Sequence, residues 1–124
     1  MVEQAIICVI DDDDGVRDSI QIMLESYGYA VRTYASGILF LRDGPPDGSR
    51  CLLIDVNMPG MNGLELLGEL RRRGLTTPAI LITGGPTTRV PAPLDAIGAS
   101  LVKKPFQAGE LIGCIEAALK KYLA

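Results

Sequence analysis

Short, uniformly apolar runs alternate along this chain with longer stretches in which apolar residues recur every three or four positions. Ala5-Ile-Ile-Cys-Val-Ile10 is the first such run, and continuous apolarity over so few residues predicts a strand buried on both faces of a parallel sheet. Val16, Ile20, Leu24 and Tyr27 follow at helical spacing, and Gly28 closes the helix. Tyr29–Tyr34 is a second, more polar strand, placed towards a sheet edge. Ser36 can cap a short helix carrying Ile38, Phe40 and Leu41, and Gly44–Ser49 is a loop by its content of chain breakers.

The pattern then repeats. Cys51–Asp55 is a second wholly buried run ending on a carboxylate, and Asn57, Pro59, Gly60, Asn62 and Gly63 make a loop. A helix opens at Leu64 with Leu64, Leu67 and Leu70 facing inward, and Gly74 stops it. Pro78–Thr83 is the fourth strand and Ser100–Lys103 the fifth. Between them Pro91 and Pro93 interrupt the helical pattern. Proline removes a hydrogen bond and clashes with the preceding turn, so residues 85–92 are expected to form an irregular loop and Pro93–Ile97 at most a short helical segment. The last helix carries Leu111, Ile115, Leu119 and Tyr122. The order is (βα)5, which predicts an α/β fold, a doubly wound five-stranded parallel sheet whose fourth helix is short or irregular.

Composition narrows the function. At 124 residues the chain reads as one domain, 1–124, and 48% hydrophobic content argues against disorder. A net charge of −3 without a basic block predicts no direct nucleic acid contact. No apolar run is long enough to span a membrane. Cys8, Cys51 and Cys114 are scattered and read as small core residues in a reducing, cytoplasmic setting. The absence of histidine excludes a histidine nucleophile or base and the usual zinc sites.

The chemistry lies at the strand ends. Asp11-Asp12-Asp13-Asp14 follows the first strand, Asp55 ends the third, Thr83 the fourth, and Lys104 follows the fifth. Open α/β sheets bind ligands at the carboxyl ends of their strands. An isolated Asp after a strand is ordinarily a turn residue, and Asp13 or Asp14 can simply cap the next helix. Their convergence from several strands favours a site. Clustered carboxylates either raise their pKa values or take a cation, and an oxygen-only set suits Mg2+. Mg2+ pairs naturally with phosphate, a carboxylate can accept a phosphoryl group, and Lys104 and the Thr83 hydroxyl could bind its oxygens.

The runs Val9-Ile-Asp-Asp12, Leu53-Ile-Asp-Val-Asn-Met-Pro-Gly-Met-Asn-Gly-Leu-Glu65, Ile82-Thr-Gly84 and Lys104-Pro-Phe106 resemble the receiver domains of bacterial two-component response regulators, the CheY-like superfamily. Val9–Arg17 is most similar to the nitrogen-fixation regulator type. The resemblance implies a flavodoxin-like strand order 2-1-3-4-5, a cis Lys104–Pro105 peptide, and Asp55 as phosphoacceptor. It implies Mg2+ held by Asp12 directly, by Asp11 largely through water, by Asp55 and by the Asn57 main-chain carbonyl. Thr83 would be the switch hydroxyl and Lys104 the phosphate partner. A sensor histidine kinase would be the phosphodonor, with a C-terminal output domain or a partner protein receiving the signal. The domain would not be an enzyme beyond slow autodephosphorylation. Where the family usually carries Tyr or Phe on the fifth strand, this chain has Leu101. Two other functions fit parts of the pattern: a phosphorylation-independent interaction module with a relic pocket, and an Mg2+-dependent phosphatase with an Asp nucleophile.

Overall fold

The computed structural model describes residues 5–84 and 98–123. Its elements are β1 (Ile6–Ile10), α1 (Asp14–Ser26), β2 (Ala30–Tyr34), α2 (Gly37–Asp43), β3 (Ser49–Asp55), α3 (Gly63–Arg72), β4 (Ala79–Thr83), β5 (Ala99–Lys103) and α4 (Ala108–Leu123). All strand pairs are parallel and the order is β2-β1-β3-β4-β5. The most polar strand, β2, is at an edge as its composition predicts. The expected loop and short helix between β4 and β5 fall at residues 85–97, outside the described residues.

Alternation along the central strands divides the core into two layers. Ile7, Val9, Cys51, Leu53, Ile80 and Ile82 point to one face, where Ile20 and Leu24 of α1 and Leu111 and Ile115 of α4 cover them. Cys8, Ile10, Leu52, Ile54 and Leu81 point to the other, beneath Phe40 of α2 and Leu66, Leu67 and Leu70 of α3. All three cysteines are free thiols. The Cys8 thiol lies 3.3 Å from the Ser49 hydroxyl, and burial pushes the Cys51 thiol up to about 12, so neither is poised as a nucleophile.

Local signals set the boundaries. Asp13 caps α1 through Val16 N–H, Ser36 caps α2 through Leu39 N–H, and Asn62 and Glu65 form a reciprocal capping box on α3. Three apolar positions of the helical patterns lie outside the fully buried core. Tyr27 matches the helical period, but α1 ends at Ser26 and Tyr27 is its C-cap, 53% exposed. Ile38 is 64% exposed because α2 has only seven residues and turns Phe40 inward, edge-on to Tyr34. Leu64 lies on the flank of α3, partly buried, while Leu66 joins Leu67 and Leu70 in the core.

Candidate functional site

The register places the two most buried carboxylates side by side. Ile10 on β1 pairs with Ile54 on β3, so the residues that follow, Asp11 and Asp55, are neighbours at the carboxyl edge of the sheet. Both continue the alternation of Val9 and Leu53 and so share the face covered by α1 and α4. Asp12 follows directly and is exposed. One carboxylate oxygen from each of Asp11, Asp12 and Asp55 lies within 4.8 Å of the others.

Hydrogen bonds fix the two buried carboxylates. Asp13 N–H donates to Asp11 Oδ1 at 2.9 Å, and Asn57 N–H donates to Asp55 Oδ1 at 3.1 Å. Both are short loops folding back on the carboxylate that precedes them. Asp11 Oδ2 is buried and, among the described residues, accepts no hydrogen bond. The Lys104 ammonium faces it at 3.9 Å, an ion pair too long for a hydrogen bond.

Charge state follows from this geometry. Burial, partly offset by the Asn57 N–H and raised further by Asp11, pushes the Asp55 carboxyl from 3.8 up to about 6. Burial also raises Asp11, against the pull of the Asp13 N–H and Lys104. One ammonium does not balance three carboxylates. An orphaned buried oxygen within an oxygen-only donor set is what a hard divalent cation would satisfy, so the residues present fit Mg2+.

The other expected residues surround this cluster. Thr83 ends β4, 2% exposed, one position beyond Ile82, the register partner of Asp55. Its carbonyl accepts the Lys104 N–H at 2.7 Å, which joins the ends of β4 and β5. The Lys104–Pro105 peptide is cis. Asn57 is exposed on the loop after β3. The site opens beside a cleft of about 890 Å³ whose lining includes Asp13, Val16, Gly84, Lys104 and Phe106.

Two contributors carry weaker sequence signals. Gly63 starts α3 against the β3 backbone. A Cβ there would stand 2.4 Å from the Asp55 carbonyl oxygen and 2.8 Å from Val56 Cα, so only glycine lets the helix approach this closely. Nothing in the sequence separates Gly63 from an ordinary loop glycine. Arg17 donates from Nη1 to the Asp11 carbonyl at 2.8 Å. Its spacing of three from Asp14 announces a helix-surface pair, not a bond to the acidic loop.

Comparison with known proteins agrees with this geometry. Residues 7–116 match the response regulator receiver domain family. The chain is similar to the transcriptional regulatory protein FixJ of Azorhizobium caulinodans, 41% identical over 122 residues, covering 96% of this chain and 57% of that protein. It is also similar to the response regulator protein TodT of Pseudomonas putida, 36% identical, covering 94% and 52% respectively. The chain thus spans about half the length of these relatives. Among solved structures, FixJ-N superposes with a TM-score of 0.85 at 31% identity, covering 96% of each chain. The Vibrio cholerae chemotaxis protein CheY4 superposes at 0.83 and 27% identity, covering 94% of this chain and all of that one. The superpositions share this chain's parallel-sheet fold, with strands in the order β2-β1-β3-β4-β5, and the chain belongs to the response regulator receiver domain family.

Proposed function

We propose that this receiver domain is phosphorylated on Asp55, with Asp11, Asp12, Asp55 and the Asn57 main-chain carbonyl holding Mg2+. The observation that carries the reading is the meeting of three carboxylates, one with an orphaned buried oxygen, beside the Lys104 ammonium. Bound Mg2+ would supply positive charge to the phosphoryl oxygens and to the clustered carboxylates.

The chain's own residues account for the rest. Asp55, raised to about 6, is mostly ionised at neutral pH and available as the attacking oxygen. The new bond joins an Asp55 carboxylate oxygen to phosphorus as the donor's nitrogen–phosphorus bond breaks. Lys104 would bind one phosphoryl oxygen and the Thr83 hydroxyl another. The donor is a phosphohistidine on a sensor histidine kinase, and the recipient of the signal is an output domain or partner protein. Receiver domains are signal transducers, not turnover enzymes. Slow autodephosphorylation would return Asp55 to its free form.

Residues 1–124 together form this one receiver unit in our reading, and its setting is the cytoplasm. Among the described residues no helix is long and apolar enough to cross a membrane. Family membership favours neither a phosphatase nor a relic pocket. The test is incubation with Mg2+ and acetyl phosphate followed by intact-mass analysis. One added phosphoryl group, absent from Asp55→Asn, is expected, and labelling that persists in that variant would overturn the assignment.

A further inference from the structure

We propose that Arg17 is a positioning residue for the cation site: its guanidinium grips the Asp11 main chain so that Asp11 Oδ2 stays aimed into the pocket. The inference rests on the Mg2+ reading of the acidic cluster and deepens it.

Arg17 does not behave as a surface charge. Its side chain is 15% exposed, whereas that of its ion-pair partner Asp14 is 86% exposed. A pair formed only for its own sake on a helix surface would leave the guanidinium in water. Here it is drawn down because Nη1 donates to the Asp11 carbonyl at 2.8 Å while Nη2 holds Asp14 Oδ1. The planar fork reaches two acceptors at once.

Asp11 is consequently fixed at three atoms. Its N–H donates to the Tyr34 carbonyl at 3.1 Å, its Oδ1 accepts Asp13 N–H at 2.9 Å, and its carbonyl accepts Arg17. The first bond ties the residue to β2, the second sets the carboxylate plane, and the third ties it to α1. Oδ2 is the acceptor left over, buried and directed at Lys104. Asp11 lies beyond the end of β1, and its N–H still bonds to the Tyr34 carbonyl of β2. Arg17 adds a bond to the Asp11 carbonyl from the first turns of α1.

The sign of the effect separates this role from simple electrostatics. Arg17 is a cation close to a site that attracts cations. If charge were its whole influence, removing it would tighten Mg2+ binding. If it positions Asp11, removing it loosens Mg2+ binding despite the relieved repulsion. Partners that orient metal ligands typically contribute about 10- to 100-fold in affinity, and we expect a net weakening near the lower end of that range.

The experiment is a calorimetric Mg2+ titration of the whole chain, wild type, Arg17→Met and Arg17→Lys, well below each variant's melting temperature. Arg17→Met is expected to weaken Mg2+ binding about tenfold. Arg17→Lys keeps the charge but cannot span both acceptors, and should fall between. Equal or tighter binding in both variants, with the wild type binding normally, overturns the positioning role alone. If the wild type binds no Mg2+, the metal reading fails and this inference with it. Should Arg17→Met not fold, Arg17→Lys decides: weaker binding supports the role and unchanged binding overturns it.

Discussion

Replacing Asp55 by Asn removes one negative charge from the pocket while keeping the side chain's shape and its acceptor for the Asn57 N–H. Without Mg2+ this should stabilise the domain at neutral pH. The folded carboxyl titrates at about 6 instead of 3.8, chiefly because it is buried. The folded state therefore binds more protons than the unfolded state between those values, and stability falls as pH rises through that window. Well below 3.8 both states are protonated and the penalty is absent. It is fully developed only about one pH unit above the folded value of about 6. At 1.36 kcal/mol per pH unit it amounts to about 3 kcal/mol, and water reaching the exposed side of the cluster screens part of it, leaving about 1–3 kcal/mol. Relief of Asp11, which loses a like-charged neighbour, acts in the same direction. For a chain of this size each kcal/mol moves the melting temperature by about 3–5 °C.

The assay is a set of urea or thermal melts of wild type and Asp55→Asn from pH 4 to pH 8, with and without Mg2+. The variant's advantage should be near zero at pH 4, grow through pH 6 and level off by pH 7. Saturating Mg2+ should shrink the gap by stabilising the wild type. A variant less stable than wild type at pH 7.5 without Mg2+, or a difference independent of pH, would refute the electrostatic account of the pocket.

Two further substitutions test other parts of the site. Asp12→Ala should eliminate the Mg2+-induced rise in melting temperature yet leave the metal-free domain as stable as before, because Asp12 is exposed. A large drop in the metal-free melting temperature would make Asp12 structural. Gly63→Ala sets the better helix propensity of Ala, up to about 1 kcal/mol, against a Cβ 2.4 Å from the Asp55 carbonyl oxygen. Backbone atoms on both sides cannot move aside without shifting the loop. A net loss of about 1–3 kcal/mol in urea denaturation is expected, and a neutral or stabilised variant would show that α3 can back away from β3.

Much of this was legible before any coordinates because the informative residues act locally. Five wholly apolar or edge-type runs fix five strands, and Asp13 and Ser36 cap the helices that follow them, while Asn62, read only as a loop residue, caps α3. Asp11 and Asp55 are recognisable because each interrupts a buried run at its end. The placement of Tyr27, Leu64 and Arg17 depends on something non-local. Tyr27 keeps the helical period, but the chain must already turn at Gly28, whose φ is +92°, to enter β2. Leu64 lies on the flank because Gly63 is pressed onto the Asp55 carbonyl, which fixes the rotation of α3 about its axis. Arg17 reads as half of an i,i+3 pair, and its bond to Asp11 depends on how far α1 tucks under the end of β1.

The charges in the pocket also constrain how a phosphoryl group could be received. Asp11, Asp12 and Asp55 carry three negative charges when ionised, against one positive charge on Lys104. A divalent cation brings that balance to zero and would give the orphaned Asp11 oxygen a partner, while burial is the main cause that raises the Asp11 and Asp55 carboxyls. Phosphorylation of Asp55 replaces one carboxylate charge with nearly two. On the proposed reading the loaded site then has an excess of about one negative charge, and further donors are needed around it. Lys104 can shorten its approach because its 3.9 Å contact with Asp11 is not a hydrogen bond. Thr83 is the next hydroxyl in register, and its carbonyl is bonded to the Lys104 N–H at 2.7 Å. A main-chain movement of either residue is therefore shared by the other, and through that bond by the ends of β4 and β5. The demand for charge at Asp55 and the coupling of these two strands thus meet at Thr83 and Lys104.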